Sequence, residues 1–369
     1  MKKVDVAIVG GGPAGLAVAI HAARHGFATL LLERQGFPRD KACGEGLMPA
    51  GLRELEALGA RDHLTPADCA PIVGIRYLQE DGTSVEGRLP APGGLGIRRL
   101  ALESALERAA RTAGVELREH AGVTQVERTP EHARLTLTSG EQVEARLVVA
   151  ADGLASPLRR AQGLDVEPRA STPRRYGLRQ HFQLPPWTPF VEVHFARGVE
   201  AYVTPAGSTR VGVAFLWEDG ALEGHVGFTE LVSHFPVLRA RLEGMTPDSS
   251  PRGAGPLARA VRARSLDRFV LVGDAAGYVD AITGEGLTLA FRSAAELGRR
   301  LPEVLARGAS RASFADYERA IRPAYRRYVF FTRSLLFLAR RPGWRAWIIR
   351  RLARVPRLFE WALNQVIEP

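Results

Sequence analysis

The chain has 369 residues, of which 46% are hydrophobic and 24% are charged, which is ordinary for a globular protein of about two domains. No apolar run reaches the roughly 18 residues of a membrane span, and a strand pattern that starts within the first residues leads us to expect no secretory signal. Only two cysteines occur, Cys43 and Cys69, so we expect no disulfide framework and a cytoplasmic, reducing location.

The net charge of +10 is concentrated at one end of the chain. Residues 321–369 contain eleven arginines and only two acids, Glu360 and Glu368. These arginines alternate with large apolar residues, and no nucleic-acid recognition motif accompanies them. We therefore expect no nucleic-acid partner, and we expect any basic interaction surface to lie on this tail.

A strand, a tight turn and a helix are predicted at the start of the chain. The apolar run 4–9 is rich in β-branched residues, as in a parallel strand buried on both faces. Gly10, Gly12 and Gly15 follow in the spacing G-x-G-x-x-G, which permits a tight turn, close approach of a pyrophosphate and close helix–strand packing. A second strand ends at Glu33, whose carboxylate can accept hydrogen bonds from ribose hydroxyls. This predicts a site for FAD or NAD rather than NADP.

The helix after this turn carries two histidines, His21 and His25, one helical turn apart. Two histidines at this spacing can bind a metal ion, but no third ligand lies near them in the sequence. We therefore expect them to be polar residues on the outer face of the helix, and we expect no metal site.

Residues 39–49, RDKACGEGLMP, place five reactive or charged side chains in and around two closely spaced glycines. Cys43 is a candidate catalytic residue in this segment, with a small buried apolar side chain as the alternative interpretation. Lys41 is the last lysine of the chain.

Two later segments place an aspartate directly after a buried strand. Asp152 and Gly153 follow the run LVVAA, and Gly273 and Asp274 follow the run FVLV. The second segment continues into GEGL, residues 284–287, which opens a predicted helix. The free amides and the positive dipole end of that helix favour a negatively charged ligand.

Four segments between residues 174 and 217 alternate in polarity or are rich in β-branched residues, which predicts a twisted antiparallel sheet. Arg179, His181, His194 and Tyr202 lie on these strands and are candidate polar contacts for a substrate, although each is also an ordinary strand residue.

The basic tail predicts two or more helices, because Pro342 and Gly343 interrupt it. One helical face collects Trp344, Trp347, Ile348, Leu352 and Val355, and the remainder collects Arg345, Arg350, Arg351 and Arg354. Two interpretations stay open. Either these helices cover the substrate cavity with their arginines in water, or the basic face rests on an anionic membrane surface.

The order of the motifs resembles the FAD-dependent family of para-hydroxybenzoate hydroxylase and geranylgeranyl reductase, over about 300 residues. That family carries an N-terminal G-x-G-x-x-G, a central Asp-Gly and a late Gly-Asp. The resemblance implies FAD as cofactor, with Asp274 beside the ribityl and ribose region and Arg99 beside the flavin. The residues expected to bind FAD are Gly10, Gly12, Pro13, Ala14, Gly15, Glu33, Arg34, Lys41, Cys43, Arg99, Asp152, Gly153, Gly273, Asp274, Gly284, Glu285, Gly286 and Leu287.

The resemblance implies an α/β fold in which a Rossmann-like FAD-binding domain holds an inserted antiparallel β-sheet substrate domain and is followed by a helical tail. We assign residues 1–70, 98–165 and 266–320 to the discontinuous FAD-binding domain. The substrate domain comprises residues 71–97 and 166–265, and the basic helical region comprises residues 321–369.

Three reactions occur on this scaffold. Residues 39–46 resemble the R-x-K-x-C-G-G-G segment of geranylgeranyl reductases, with Glu45 in place of a glycine, and Gly44, Glu45 and Pro49 resemble the G-E-S-x-x-P of halogenases. Halogenases need a lysine downstream of this segment, and none follows Lys41. Halogenation is therefore excluded.

The favoured prediction is an FAD-dependent monooxygenase that hydroxylates or epoxidises a hydrophobic aromatic, polyketide or isoprenoid substrate through a flavin C4a-hydroperoxide. The alternative is reduction of prenyl double bonds, in which Cys43 faces flavin and substrate. A flavin-binding or basic interaction protein without enzymatic activity is the third interpretation. Only one dinucleotide fingerprint is present, so we expect NAD(P)H to bind transiently or an electron-donor protein to replace it.

Overall fold

The computed structural model describes residues 1–167, 173–222 and 226–367. Strands and helices alternate in the N-terminal part, and the described chain ends in helices. The strands in chain order are β1 (Lys2–Val9), β2 (Thr29–Leu32), β3 (Gly46–Leu47), β4 (Cys69–Ile72), β5 (Gly74–Leu78), β6 (Ser84–Arg88), β7 (Gly94–Ile97), β8 (Glu116–Arg118), β9 (Val123–Arg128), β10 (Ala133–Leu137), β11 (Gln142–Ala150), β12 (Asp165–Val166), β13 (Arg175–Gln183), β14 (Phe190–Ala196), β15 (Val199–Pro205), β16 (Arg210–Glu218), β17 (Arg252–Ala254), β18 (Ala260–Val261), β19 (Ser265–Leu266) and β20 (Phe269–Leu271).

Most of the described helices begin at a proline, whose missing N–H costs nothing in a first turn where the amide groups have no partner within the helix. In chain order they are α1 (Pro13–Arg24), α2 (Pro49–Ala57), α3 (Arg99–Thr112), α4 (Pro157–Ala161), α5 (Phe228–Ser233), α6 (Pro236–Leu242), α7 (Gly286–Ala306), α8 (Ala315–Ala339), α9 (Pro342–Arg354) and α10 (Pro356–Ile367). Short 3-10 turns occupy Arg61–His63, Gly273–Ala276 and Arg311–Phe314.

The first sheet contains the N-terminal strand β1. Its strands lie in the order β19-β20-β11-β1-β2-β8, with β10 paired to β11 and β9 paired to β10. The neighbours β20, β11, β1, β2 and β8 are parallel, so their carboxyl ends share one edge of the sheet. One face of this sheet packs on α1, α3 and α7, and the other face packs under β9 and β10. The fold is therefore the α/β fold predicted from the sequence.

The second sheet has seven strands in the order β17-β13-β16-β15-β14-β5-β6. Strands β13 to β16 are antiparallel and occupy the range predicted from residue 174 to 217. Strand β5 pairs with β14 in parallel, so the sheet is mixed rather than purely antiparallel. The reason is topological. More than a hundred residues, among them β8 to β11 of the first sheet, lie between these two strands, and only a long crossover can join parallel neighbours.

The two stretches assigned to the substrate domain meet in this second sheet, since β5 and β6 come from the first stretch and β13 to β17 from the second. Strands β4 and β7 lie instead in a small three-stranded sheet with β3. On the far side of the second sheet, α5 and α6 cover a separate core.

The C-terminal helices α8, α9 and α10 pack on one another, and α9 and α10 pack on β6 of the second sheet. Helix α8 begins at Ala315 and runs past residue 320, so the domain boundary placed there by the sequence falls inside a continuous helix. Breaks near Pro342 and at Pro356 separate the three helices, because proline cannot continue a helix with full hydrogen bonding. None of the described helices is both long and apolar enough to cross a bilayer.

Candidate functional site

The turn between β1 and α1 depends on two glycines that no other residue can replace. Gly10 has φ of 104°, and a Cβ there would lie 2.5 Å from the Ala151 carbonyl oxygen. A Cβ on Gly15 would lie 2.0 Å from the Gly10 carbonyl oxygen. These glycines bring the start of α1 against the ends of β1 and β11, where a phosphate group can meet the helix amides.

Gly12 differs from these two glycines because the space beside it is open. A Cβ there would meet only the guanidinium nitrogens of Arg99, at 3.7 Å, and Arg39, at 3.8 Å. Gly12 precedes α1 without a side-chain cap. The start of the helix is therefore flanked by two cations, which suits an anionic ligand.

Glu33 lies at the end of β2, buried beside this turn. Its carboxylate accepts hydrogen bonds from the amides of Gly11, at 2.7 Å, and Gln35, at 2.9 Å, and forms an ion pair with Arg39 at 2.7 Å. The carboxylate thus lies next to the glycine turn, at the position that the sequence predicts. The following residue, Arg34, is exposed.

A cavity of about 490 Å³ begins at this turn and continues between the two sheets to the C-terminal helices. Its lining includes twelve of the eighteen residues that the sequence assigned to the cofactor. They are Gly12, Pro13, Ala14, Lys41, Cys43, Arg99, Gly153, Gly273, Asp274, Gly284, Gly286 and Leu287. The three motifs, far apart in the chain, therefore meet around one space.

Gly10, Gly15, Glu33 and Arg34 do not line the cavity, and neither does Asp152. The Asp152 carboxylate accepts hydrogen bonds from the Ser156 hydroxyl, at 2.6 Å, and the Leu158 amide, at 3.1 Å. In this structure it holds the start of α4, and the assignment of Asp152 to the cofactor stays a prediction. Its neighbour Gly153, with φ of 83°, reaches the cavity instead.

Glu285 also faces away from the cavity that its neighbours Gly284 and Gly286 line. It lies in a small adjoining pocket near Arg292 and Arg327. Burial raises the pKa of its carboxyl to about 8, and these arginines only partly offset that effect. In this structure Glu285 is therefore a buried acid behind the cavity wall, and its assignment to the cofactor stays a prediction.

The acid that follows Asp274 in the late motif, Asp280, has a structural role. Its carboxylate pairs with Arg175 at 2.9 Å, and Arg175 also pairs with Glu200 at 2.6 Å. The Tyr328 hydroxyl on α8 donates a hydrogen bond to the Asp280 carbonyl at 2.9 Å. This buried cluster joins the cofactor loop to the second sheet and to the C-terminal helices.

Glu45 is a residue of the site that sequence reasoning missed. It is buried with φ of 61°, a conformation that favours glycine, which explains why a glycine stands there in the segment it resembles. Its carboxylate accepts a hydrogen bond from the Arg99 amide at 2.9 Å, and its Oε2 lies 2.5 Å from His181 Nε2. The two polar partners hold an otherwise unfavourable backbone conformation.

The predicted substrate contacts divide into two groups. Arg179 and Tyr202 line the cavity. Arg179 is already paired with Asp40, at 2.5 Å, and the Tyr202 hydroxyl lies 3.5 Å from the Ile282 carbonyl oxygen. Burial raises the pKa of Tyr202, so its hydroxyl stays protonated.

Neither His181 nor His194 lines the cavity, and their assignment as substrate contacts stays a prediction. His181 is fully buried behind Glu45 and also lies 3.0 Å from the Ser249 hydroxyl. His194 points to the opposite face of the second sheet, beside Glu192 and Phe235, because side chains alternate along β14.

Cys43 lines the cavity close to Arg99 and Glu45. Burial raises the pKa of its thiol, while the nearby Arg99 guanidinium favours the thiolate to a smaller extent. The Glu45 amide donates a hydrogen bond to the sulfur at 3.4 Å. At neutral pH the cysteine is therefore a protonated thiol at the cavity wall.

The histidine pair on α1 has a different environment from the one expected. His21 lies half-buried against Gly298 of α7 rather than on an outer face, and burial lowers its pKa to about 4. His25 is exposed. Among the described residues, no group of three His, Cys, Asp or Glu side chains is arranged to hold a metal ion.

The residues at the turn fit FAD. Bare backbone at Gly12 and Gly273 gives access to the helix start, Arg99 and Lys41 supply positive charge, and Asp274 supplies a carboxylate in the same cavity wall. A Cβ on Gly153 would lie 2.9 Å from Lys41 Nζ, so the bare backbone there leaves room for that ammonium group. When bound, FAD would supply two-electron redox chemistry to the cavity.

Comparison with known proteins also indicates a protein with an FAD-binding domain. Residues 3–332 match the family described as FAD binding domain. Menaquinone reductase of Mycobacterium tuberculosis is 31% identical over 329 residues, covering 82% of this chain and 76% of the relative. Digeranylgeranylglycerophospholipid reductase 1 of Methanothermobacter thermautotrophicus is 27% identical over 347 residues, covering 87% and 83%.

A solved flavoprotein/dehydrogenase from Cytophaga hutchinsonii has the same fold, with a TM-score of 0.81 at 21% identity, covering 97% of this chain and all of the other. The family match covers most of the chain, and it includes both sheets and the turn that suits the cofactor. The chain belongs to the FAD-binding-domain family and is a member of the FAD-dependent oxidoreductase superfamily.

Proposed function

We propose that this enzyme reduces carbon–carbon double bonds in the isoprenoid chain of a lipid or quinone. The observation that carries the proposal is the apolar extension of the cavity beyond the cofactor turn. On the second sheet it is lined by Ile75, Tyr77, Val191, Val193, Phe195 and Phe215. The proteins named menaquinone reductase and digeranylgeranylglycerophospholipid reductase add support, since both relatives align over most of this chain.

The polarity of this wall favours a hydrocarbon substrate over a phenol. A phenol or ketone needs convergent hydrogen-bond partners. Two of the four expected partners, His181 and His194, lie outside the cavity, and Arg179 is already paired with Asp40. An alkene chain requires no such partners, so the apolar wall meets its needs directly.

Saturation of one double bond adds a hydride to one carbon and a proton to the other. When bound in its reduced form, FAD would supply the hydride. The Cys43 thiol lies in the cavity wall and is protonated at neutral pH, so it can donate the proton. The Arg99 guanidinium then stabilises the thiolate that remains, until it regains a proton from water.

We propose that a donor outside this chain supplies the electrons that reduce the cofactor. NAD(P)H that binds transiently and an electron-donor protein are the two sources to be distinguished. Steady-state turnover with NADH or NADPH alone would identify the first source, and turnover only with an added reduced protein would identify the second.

Monooxygenation, which the sequence favoured, stays a prediction and is the competing outcome of the same experiment. Reduced enzyme is mixed anaerobically with a quinone that carries an unsaturated isoprenoid chain. After any quinol in the product has been reoxidised to the quinone, the proposal expects a product two mass units heavier for each double bond reduced. Oxygen-18 incorporation from labelled O₂, without any anaerobic product, would establish monooxygenation instead.

Cys43 provides the residue-level test, with Cys69 as its matched control. Cys69 is also a free cysteine, but it is buried, and its thiol donates a hydrogen bond to the Thr65 carbonyl and does not line the cavity. Cys43→Ala should slow the anaerobic reaction at least tenfold, as expected for loss of a general acid, and Cys69→Ala should leave it unchanged. Equal rates in both variants would remove Cys43 from the mechanism.

A further inference from the structure

The three C-terminal helices α8, α9 and α10, called here the lid helices, have two chemically different faces. The inner face lines the cavity through apolar residues from each helix, among them Leu335 and Leu338 of α8, Ile349 and Leu352 of α9, and Phe359 and Leu363 of α10. Burial of these side chains against the second sheet explains why the helices fold onto it.

The outer face of the same helices carries large apolar side chains in water. Seven of the ten exposed large hydrophobic residues among the described residues lie on or between the lid helices. They include three tryptophans, with exposures of 65% for Trp344, 56% for Trp347 and 61% for Trp361. Phe330 and Phe337 lie one above the other on α8 at a spacing of seven residues. Exposed apolar residues concentrated in this way mark an interaction surface.

The faces predicted from the sequence are corrected in one respect. The apolar face assigned to α9 is divided, because Ile348 and Leu352 line the cavity while Trp344 and Trp347 face outward. Arg345, expected among the basic residues, is buried and its Nε donates a hydrogen bond to the Gln79 side chain. The outer surface is therefore aromatic as well as basic.

Several exposed arginines near these aromatic residues lack acidic partners, whereas Arg350 pairs with Asp81 and Arg340 with Glu218. Arg333, Arg354 and Arg357 form no ion pair or side-chain hydrogen bond within the described part of the chain. Arg351 contacts only the Trp347 ring, and Arg341 lies over the Phe337 ring. An unpaired cation next to an exposed aromatic ring suits the boundary between anionic headgroups and acyl chains.

We propose that the outer face of the lid helices is a docking surface for an anionic phospholipid membrane. The tryptophans and phenylalanines enter the headgroup boundary, and the arginines contact lipid phosphates. A second copy of this chain is a poorer occupant, because it would place the same unpaired arginines opposite one another. The surface rests on the membrane without crossing it, since none of the described helices is a membrane span.

Docking is independent of the reaction that the site performs. The inner face of the same helices lines the cavity, so docking would also bring the cavity next to the lipid that contains a long-chain substrate. That consequence, unlike the docking itself, rests on the proposed function. The experiment below contains no substrate, so its failure would leave the proposed function standing.

The test is co-sedimentation of the full-length, FAD-loaded protein with vesicles. Vesicles of phosphatidylcholine alone are compared with vesicles that contain phosphatidylglycerol, each at low and high salt. The proposal expects sedimentation only with the anionic vesicles, and release at high salt. Changing Arg333, Arg354 and Arg357 together to glutamine should weaken partition by roughly a hundredfold, at about fivefold for each arginine.

A matched control uses three exposed arginines elsewhere on the protein. Arg108, Arg197 and Arg239 are exposed and carry the same total charge, so Arg→Gln at all three lowers the net charge equally. Full vesicle binding by this control assigns the effect to the lid surface rather than to overall charge. Bound FAD and the thermal midpoint, measured for each variant, verify that the fold is retained.

Tryptophan fluorescence gives a second readout, because three of the five tryptophans of the chain lie on this surface. Brominated phosphatidylglycerol should quench the wild type, and Trp344→Phe with Trp347→Phe and Trp361→Phe should lose that quenching. Equal recovery in the supernatant with both vesicle types, or equal binding to neutral and anionic vesicles, would overturn the proposal. A concentration-dependent dimer without vesicle binding would assign the surface to a second copy.

Discussion

Replacing the buried Glu285 by glutamine should remove a pH dependence from the stability of this protein. Glu285 stands at the start of α7 with only 9% of its surface exposed, and its Oε1 makes no hydrogen bond with any described residue. Burial raises its pKa from 4.5 to about 8. The folded protein therefore favours the neutral acid up to slightly alkaline pH.

The sign of the effect follows from proton binding. Between pH 4.5 and about 8 the folded state holds one more proton at this carboxyl than the unfolded state does. The free energy of unfolding therefore falls as the pH rises through this range. At 1.36 kcal/mol for each pKa unit, the loss is on the order of 4 kcal/mol. Glutamine is neutral throughout, so Glu285→Gln should not show this loss.

The measurement is urea denaturation of wild type and Glu285→Gln from pH 5 to pH 8.5, at constant excess FAD so that the cofactor contributes equally to both proteins. The variant should gain several kcal/mol over the wild type as the pH rises. Glu131→Gln, at an exposed glutamate, should follow the wild-type curve. Parallel curves for wild type and Glu285→Gln would refute the assignment of a raised pKa to this carboxyl.

Two further predictions concern the cofactor segment. Gly12→Val should lower FAD affinity more than a hundredfold while the fold survives, because a Cβ at Gly12 has no contact closer than 3.7 Å. Gly15→Ala is the contrasting variant, because its Cβ would lie 2.0 Å from the Gly10 carbonyl oxygen and should disrupt folding. Fluorescence titration measures the FAD affinity of each variant, and circular dichroism shows whether the variant folds. Glu45→Gly should lower the free energy of unfolding by about 1–3 kcal/mol, because loss of its carboxylate hydrogen bonds, one with His181, outweighs about 1 kcal/mol of relieved backbone strain. A more stable glycine variant in urea denaturation would show that the strain dominates.

The sequence was sufficient to predict those features that depend on residues close together in the chain. The spacing of Gly10, Gly12 and Gly15 after an apolar run predicts the strand, turn and helix, because a positive φ, such as the 104° of Gly10, is a local backbone requirement that glycine meets without strain. The same holds for Gly273 and Gly284, whose φ values are 59° and 70°. Two more local signals, alternation along β13 to β16 and the break near Pro342, gave the second sheet and the separation of the tail helices.

The surroundings of each side chain became known only from the three-dimensional packing of the chain. Alternation along a strand puts Tyr202 and His194 on defined sides of their own strands, but it does not say which side the cavity occupies. Glu45 pairs with His181, and Asp280 pairs with Arg175. More than a hundred residues of sequence separate the members of each pair, so no local sequence pattern predicts these contacts.

The lid helices give the clearest case of this division. Their apolar and basic composition is plain from the sequence. Yet Leu352 faces the cavity while Trp347, on the same predicted apolar face, is exposed, because the packing of α9 against β6 selects which side of that helix is buried. Helical periodicity fixes the angle between two side chains, and only the surface against which the helix packs fixes which of them is buried.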